Sequence, residues 1–308
     1  MSSNPMRLPT EPSAGLPTAL ASRVCRPRLS DMPCVRASRQ ELPVISKRIL
    51  SGERLDDARM EVILEDFYRN GVTLIPGVLT RDEIDALREV TDRCFNDPVL
   101  AGTDYLSGRG DGFVLRNTLE LDAVFVDMLI REPILSLAEA IVGEDCKFCG
   151  QNVIRNAPGQ AIDLWHVDDR VEFPLPDDVP RHDSRIRMPV QWFTIQMALT
   201  DIDTVEDGPT QFVPGSHYSG RDPNSQENPV FEGRGLESVF CKAGDVYLQN
   251  NQCWHRGAPV TSNRMRYVFQ SQYAAHWAHR RFSEYNHVPV PPTVLSRASE
   301  RLRGVLGV

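Results

Sequence analysis

From residue 56 to residue 142 the apolar positions recur mainly at helical spacing. Between Asp56 and Asn70 they are Met60, Ile63, Leu64 and Phe67, and Asn70-Gly71 supplies a stop. Val72-Thr73-Leu74-Ile75 reads as a short strand ended by Pro76-Gly77. Thr80 then caps a second helix, Arg81 to about Arg93, with Glu83 completing a capping box. Two further helices are predicted from about Leu121 to Arg131 and from Pro133 to Val142, where Pro133 suits a first turn.

From Cys146 onward the pattern changes to short β-like runs between Gly/Pro turns. They fall at 146–155, 162–168, 190–200, 210–213, 237–241, 245–249, 252–256 and 265–274, punctuated by Gly208-Pro209, Pro214-Gly215 and Ala243-Gly244-Asp245. Many short strands of this kind predict an antiparallel sandwich or barrel. Helices first and strands after give an α+β class with helices backing one face of a β-core. Two longer insertions, 169–189 and 216–236, read as lid-like or binding loops. Residues 294–305 suit a closing helix that docks on this core or on a neighbour. No internal repeat is present.

Composition separates a leader from a domain. Residues 1–45 hold seven of the 23 prolines, six arginines against three acids, and no aromatic residue. Such a segment buries little, and its prolines break the amphipathic helix a transit peptide needs. The expected division is therefore a Pro/Arg-rich leader, 1–45, and one domain, 46–308. The whole chain of 308 residues has a formal charge of −8, and without the leader it is −11. An acidic balance argues against nucleic acid as a partner, because phosphate binding calls for a basic footprint. No stretch approaches the roughly 20 apolar residues of a membrane span. Seven irregularly spaced cysteines suggest a reduced, cytoplasmic setting. Cys146-x-x-Cys149 opens a strand-like run and reads as apolar packing, with zinc or redox chemistry as the alternative.

The chemistry concentrates in Leu164-Trp165-His166-Val167-Asp168. On a strand, residues i and i+2 share a face, so His166 and Asp168 converge while Trp165 points into packing. An imidazole and a carboxylate are two-thirds of a facial triad, which suits Fe(II) because three positions stay open. The dipeptide spacing alone is common by chance. His255, 89 residues downstream on a facing strand, could supply a third ligand. Arg266, eleven positions further on, could form a bidentate pair with the far carboxylate of a keto acid.

The ordered set His166-x-Asp168 … His255 … Arg266 resembles the phytanoyl-CoA dioxygenase family of Fe(II)/2-oxoglutarate-dependent oxygenases. So do Phe67-Tyr68-Arg69-Asn70-Gly71-Val72 … Pro76-Gly77-Val78-Leu79 and the stretch Gly208-Pro209-Thr210-Gln211-Phe212-Val213-Pro214-Gly215-Ser216-His217. The similarity spans about residues 60–275. It implies a double-stranded β-helix, or jelly roll, with helices on one side. It implies His166, Asp168 and His255 as iron ligands, Arg266 as the 2-oxoglutarate anchor, and O2 as the oxidant. Relatives that halogenate lack the carboxylate, so an intact Asp168 implies hydroxylation of a small molecule, with desaturation, epoxidation or cyclisation as rivals. A catalytically silent jelly-roll binding module is the alternative from another class, and a metal-dependent hydrolase or isomerase a third.

Further residues are weighed beside these. Arg264 is the rival anchor, two positions from Arg266 on what reads as the same strand face, and Thr261 or Ser262 could assist. Gln196, polar in the core-like run Phe193–Leu199, is a candidate cofactor contact. One of Gln151 and Asn152 is expected to face the site. His217 reads as structural; His276 and His279 read as solvated surface. His182 with Arg181, Arg185 and Arg187 forms a basic knot, read either as exposed charge or as an anion contact. Tyr105 lies in, and Phe113 directly follows, a Gly-rich segment, 102–112, that could cover the site.

Overall fold

The computed structural model describes residues 52–107, 113–169, 174–176, 178–279 and 290–308. The leader and its two cysteines lie outside the described residues. The elements in chain order are α1 (Asp57–Asn70), β1 (Val72–Ile75), α2 (Arg81–Phe95), β2 (Leu106–Ser107), β3 (Val114–Arg116), α3 (Ala123–Asp127), α4 (Ile134–Val142), β4 (Lys147–Asn156) and β5 (Ile162–His166). They continue with β6 (Trp192–Ala198), β7 (Thr210–Phe212), β8 (Glu237–Ser238), β9 (Val246–Asn250), β10 (His255–Gly257), β11 (Arg266–Ala274), α5 (Pro292–Leu295) and α6 (Glu300–Leu306).

Two antiparallel sheets face each other. The larger runs β1-β9-β6-β11-β4-β3-β2 and the smaller β5-β10-β7-β8. The fold is the expected jelly roll, with α1 to α4 packed on the outer face of the larger sheet. Alternation along β11 makes the layers: Tyr267, Phe269 and Tyr273 point out into the helix-facing core, while Val268 joins the interior between the sheets. A third cluster, Trp165, Val213, Tyr218, Phe231 and Trp254, covers the outer face of the smaller sheet. Trp165 thus points away from the sheet's inner face, as its place in the strand requires.

Local signals account for the helices. Asp56 caps α1 through Arg59 N, and Gly71 ends it in the left-handed region at φ 83°. A Cβ at Gly71 would also come within 2.8 Å of Cys253 Sγ. Thr80 and Glu83 form the capping box of α2. Glu83 then pairs with Arg131, both side chains 1% exposed, and Arg131 also donates to Val78 O at 2.6 Å.

The expected helix 121–131 is instead three short pieces: 3-10 turns at Thr118–Glu120 and Met128–Ile130 flank α3. Asp122 is the reason, because its side chain accepts from Val124 N and restarts the helix. Of the Gly-rich segment 102–112, residues 108–112 lie outside the described residues; β2 within it and β3 after it extend the larger sheet. Phe113 packs with Val114 and Ile154 rather than standing over an opening. Tyr105 donates to Glu120 at 3.1 Å.

The loop 216–236 is stitched down. Trp165 N–H donates to Gln226 Oε1 at 2.9 Å, and Gln226 Nε2 donates to Trp165 O at 3.0 Å, completing the free edge of β5. At the C-terminus Leu302 and Val294 bury against Val126 and Leu129 of the same chain.

Candidate active site

His166 ends β5 and His255 opens β10, and the two are directly paired across the smaller sheet. Their ring centroids are 4.2 Å apart. Asp168 lies two residues beyond the strand's last residue, in a turn held by Asn251 O, which accepts from Asp168 N at 2.9 Å and Asp169 N at 3.2 Å. Asp168 Oδ1 is 3.4 Å from His166 Nε2, and Oδ2 is 3.5 Å from His255 Nε2. One donor atom from each of the three residues falls within 4.8 Å of the others.

The tautomers follow from the hydrogen bonds. His166 Nδ1 donates to Leu164 O at 2.7 Å, and His255 Nδ1 donates to Cys253 O at 2.9 Å. Each Nε2 is therefore the ring atom turned toward Asp168 and the one left to take a metal. Burial lowers the pKa of His255, partly offset by Asp168. Burial works to raise the Asp168 pKa, but His255 and His166 together outweigh it and hold the carboxyl below its usual range. Two imidazole nitrogens and a carboxylate are the donor set that fits Fe(II).

The ligand atoms open into a cleft of about 750 Å3, open solvent included. Arg266 lies in this cleft, 4% exposed, donating to Thr210 Oγ1 at 3.1 Å. Its Nε has no partner among the described residues. A buried guanidinium with spare donors fits the far carboxylate of a keto acid. Gln196 also lines the cleft, accepting from Tyr247 Oη at 2.9 Å and Gln270 Nε2 at 3.0 Å. Asn152 lines it as well, whereas Gln151 turns to the helix side and donates to Phe125 O at 2.9 Å.

Two expected cofactor contacts stand elsewhere. β11 begins at Arg266, so Arg264 sits in the preceding bend and does not follow the strand's alternation. It is exposed and points to Asp207, 3.5 Å away. Thr261 is exposed too, its N–H donating to Glu206 O at 2.8 Å. Neither lines the cleft.

The remaining candidates sort by their partners. His217 is buried against Tyr68 O at 3.0 Å, and burial lowers its pKa to about 4. His276 is exposed beside His279. Arg181 pairs with Glu232 and Arg185 with Asp183, while Arg187 stacks over the Tyr68 ring at 4.8 Å. Arg181, Arg185 and Arg187 line a surface hollow away from the cleft that holds His166. Cys146 and Cys149 are free, buried thiols; burial pushes Cys146 up to about 12 and Cys149 well above its usual value.

Sequence reasoning missed Gln249, whose Nε2 donates to His255 Nε2 at 3.0 Å and to Asp168 Oδ2 at 3.4 Å. It accepts in turn from Gln196. Tyr247, Thr210, Gln270 and Gln272 were missed with it. The available signal was polar residues at alternating positions in otherwise apolar strands.

The fold and site together define a double-stranded β-helix that carries a His-x-Asp … His set on its smaller sheet. The chain belongs to the phytanoyl-CoA dioxygenase (PhyH) family, whose model matches residues 67–268. The ectoine dioxygenase of Stutzerimonas stutzeri (strain A1501) is 25% identical over 167 residues, covering 50% of this chain and 49% of that protein. The chain thus spans about half the length of this curated relative. The crystal structure of HygX from Streptomyces hygroscopicus with nickel and 2-oxoglutarate bound shares the fold at a TM-score of 0.54 and 19% identity, over 70% of this chain and 87% of that one. The non-heme alpha ketoglutarate dependent epimerase SnoN from nogalamycin biosynthesis matches at a TM-score of 0.54 and 20% identity, over 71% and 84% of the two chains.

Proposed function

We propose that this chain is an Fe(II)- and 2-oxoglutarate-dependent dioxygenase that hydroxylates a C–H bond of a small molecule. The observation that carries the reading is the opening of His166, Asp168, His255 and the buried Arg266 into one cleft. His166 and His255 would hold iron through Nε2, with Asp168 as the third ligand. Iron with the keto acid and O2 supplies the oxidising chemistry, with succinate and CO2 as by-products. Arg266 orients the keto acid by its far carboxylate, and Gln196 and Thr210 line the same wall. Gln249 fixes the Asp168 carboxylate from outside the ligand set. The carboxylate of Asp168 fills the position a halide would need, which favours hydroxylation over halogenation. Family membership and the ectoine dioxygenase relative support the reaction class. Residues 46–308 act as one catalytic domain bordered by the loops 169–189 and 216–236.

The test is anaerobic titration. Protein loaded with Fe(II) should develop a weak visible charge-transfer band when 2-oxoglutarate is added, and calorimetry should register its binding. Absence of both would sink the oxygenase reading. A product heavier than its substrate by one oxygen, with a new carbinol signal by NMR, would establish hydroxylation; the same mass gain with loss of an alkene would identify an epoxidase, and loss of two hydrogens a desaturase or cyclase.

A further inference from the structure

Five carboxamides line the cleft: Asn152, Gln196, Gln249, Gln270 and Gln272. Three are engaged with one another and with the metal set. Gln249 donates to His255 and accepts from Gln196, and Gln196 accepts from Gln270. The other two are not absorbed by this chain of bonds. Asn152 Oδ1 and Gln272 Oε1 have no partner among the described residues, although the side chains are only 6% and 5% exposed.

These two acceptors are neighbours. Asn152 on β4 stands opposite Gln270 on β11, and Gln272 is two residues further along β11 on the same face. Diagonal positions of this kind are about 7–8 Å apart at Cα, within reach of one ring-sized molecule. A buried carbonyl oxygen without a donor is costly, so the occupant of the cleft has to bring donors. 2-Oxoglutarate cannot: its carboxylates and keto oxygen only accept. A fatty acyl chain cannot either. The donors must come from the primary substrate. Arg256 is turned outward onto Gln211 and the Trp165 ring, so Arg266 is the buried guanidinium that faces the cleft, and its charge disfavours a cationic amine and leaves hydroxyl groups as neutral donors. Val114, Ile154 and Ile162 supply a small apolar strip suited to the C–H face of such a ring.

We propose that the primary substrate is an uncharged, polyhydroxylated ring compound whose hydroxyls donate to Asn152 Oδ1 and Gln272 Oε1. This rests on the oxygenase reading above and narrows its substrate. The experiment uses the full chain with Fe(II), 2-oxoglutarate and O2, and measures succinate formed in the presence of two probe sets. One set holds cyclitols, methyl glycosides and glycosylated small molecules; the other holds palmitoyl-CoA and free fatty acids. A polyhydroxylated probe should stimulate succinate formation about tenfold, and the acyl probes should not. For the responding compound, Asn152→Leu and Gln272→Leu should each raise KM about tenfold, the factor that about 1.4 kcal/mol sets at 25 °C. Gln272→Glu keeps an acceptor oxygen and should stay much closer to the wild-type KM than Gln272→Leu. Stimulation by acyl probes alone, no response to any polyhydroxylated probe while 2-oxoglutarate binds, or a KM unmoved in both leucine variants would overturn the proposal. Failure of 2-oxoglutarate to bind at all would instead remove the oxygenase reading, and the substrate class with it.

Discussion

Replacing Arg266 by Met separates anchoring from folding. The guanidinium is 4% exposed, and no carboxylate among the described residues pairs with it; Thr210 Oγ1 is its hydrogen-bond acceptor at 3.1 Å. Without ligand the charge is therefore buried and uncompensated, and Met keeps most of the stem's packing while removing it. The ligand-free melting temperature should hold or rise. Binding should suffer, because truncating one side of a buried charge pair costs about 2–5 kcal/mol, or roughly 30- to 5,000-fold in Kd. Differential scanning fluorimetry under anaerobic Fe(II) reads both effects. At 100 times its Kd, 2-oxoglutarate should stabilise the wild type by about 2.7 kcal/mol; a variant weakened 100-fold retains only about 0.4 kcal/mol. Arg264→Ala is the control. It loses a pair between the half-exposed Arg264 and the buried Asp207, whose carboxylate still accepts from Asp203 N and Thr204 N, and it should keep the full ligand shift. A normal shift in Arg266→Met, or its loss in Arg264→Ala, would refute the anchor assignment.

His166→Ala and His255→Ala should each abolish tight Fe(II) binding by calorimetry while the far-ultraviolet spectrum stays native; retained stoichiometric binding would dismiss the triad. His217 is held neutral by burial, its pKa falling from 6.5 to about 4. The unfolded chain takes up this proton first, so stability should be full above pH 6.5 and decline by up to about 3 kcal/mol as pH falls to 4. Denaturant midpoints should lose that slope in His217→Gln, and an unchanged slope would assign it elsewhere. Removing Glu83 alone strands the Arg131 charge and should cost about 3–5 kcal/mol, whereas the double variant Glu83→Met/Arg131→Met should be more stable than either single. Five of the seven cysteines are buried as free thiols, so rapid native titration should label at most Cys25 and Cys34; a third fast thiol would contradict the packing.

Much of this architecture was legible because local chemistry set it. The Asp56 and Thr80 caps fixed two helix starts, and Gly/Pro turns marked the β runs. Reading failed where both faces of an element are buried. Residues 121–131 are apolar nearly throughout, so no period shows that Asp122 restarts the helix. The strands β4, β6, β9 and β11 are covered on one side by helices and on the other by the second sheet. Alternation there separates apolar residues from carboxamides only at intervals, so Gln196 stood out while Gln249 and Gln272 did not. Arg264 was misplaced because strand alternation was carried two residues beyond the point where β11 begins. Strand spacing suggested that His166 and Asp168 converge and the family resemblance added His255; the three do come together, although Asp168 converges through a turn held by Asn251 rather than through the strand itself.

The two halves of the site are assembled on different scales. Each histidine takes its orientation from a carbonyl two residues earlier in its own segment, Leu164 O for His166 and Cys253 O for His255. Each therefore carries its own aiming device, and two paired strands of almost any sandwich could receive them by grafting a few residues. The Arg266 wall has no such independence. Thr210, Tyr247 and Gln196 come from three further strands, drawn from both sheets, and each is oriented by another member. Under the proposed function, substitution within either short segment would remove or restore one metal ligand without disturbing the rest of the sandwich. Changing which acid the cleft accepts requires coordinated change across the sandwich, so the metal set is the portable half of this design and the anchor is the half that ties it to this scaffold.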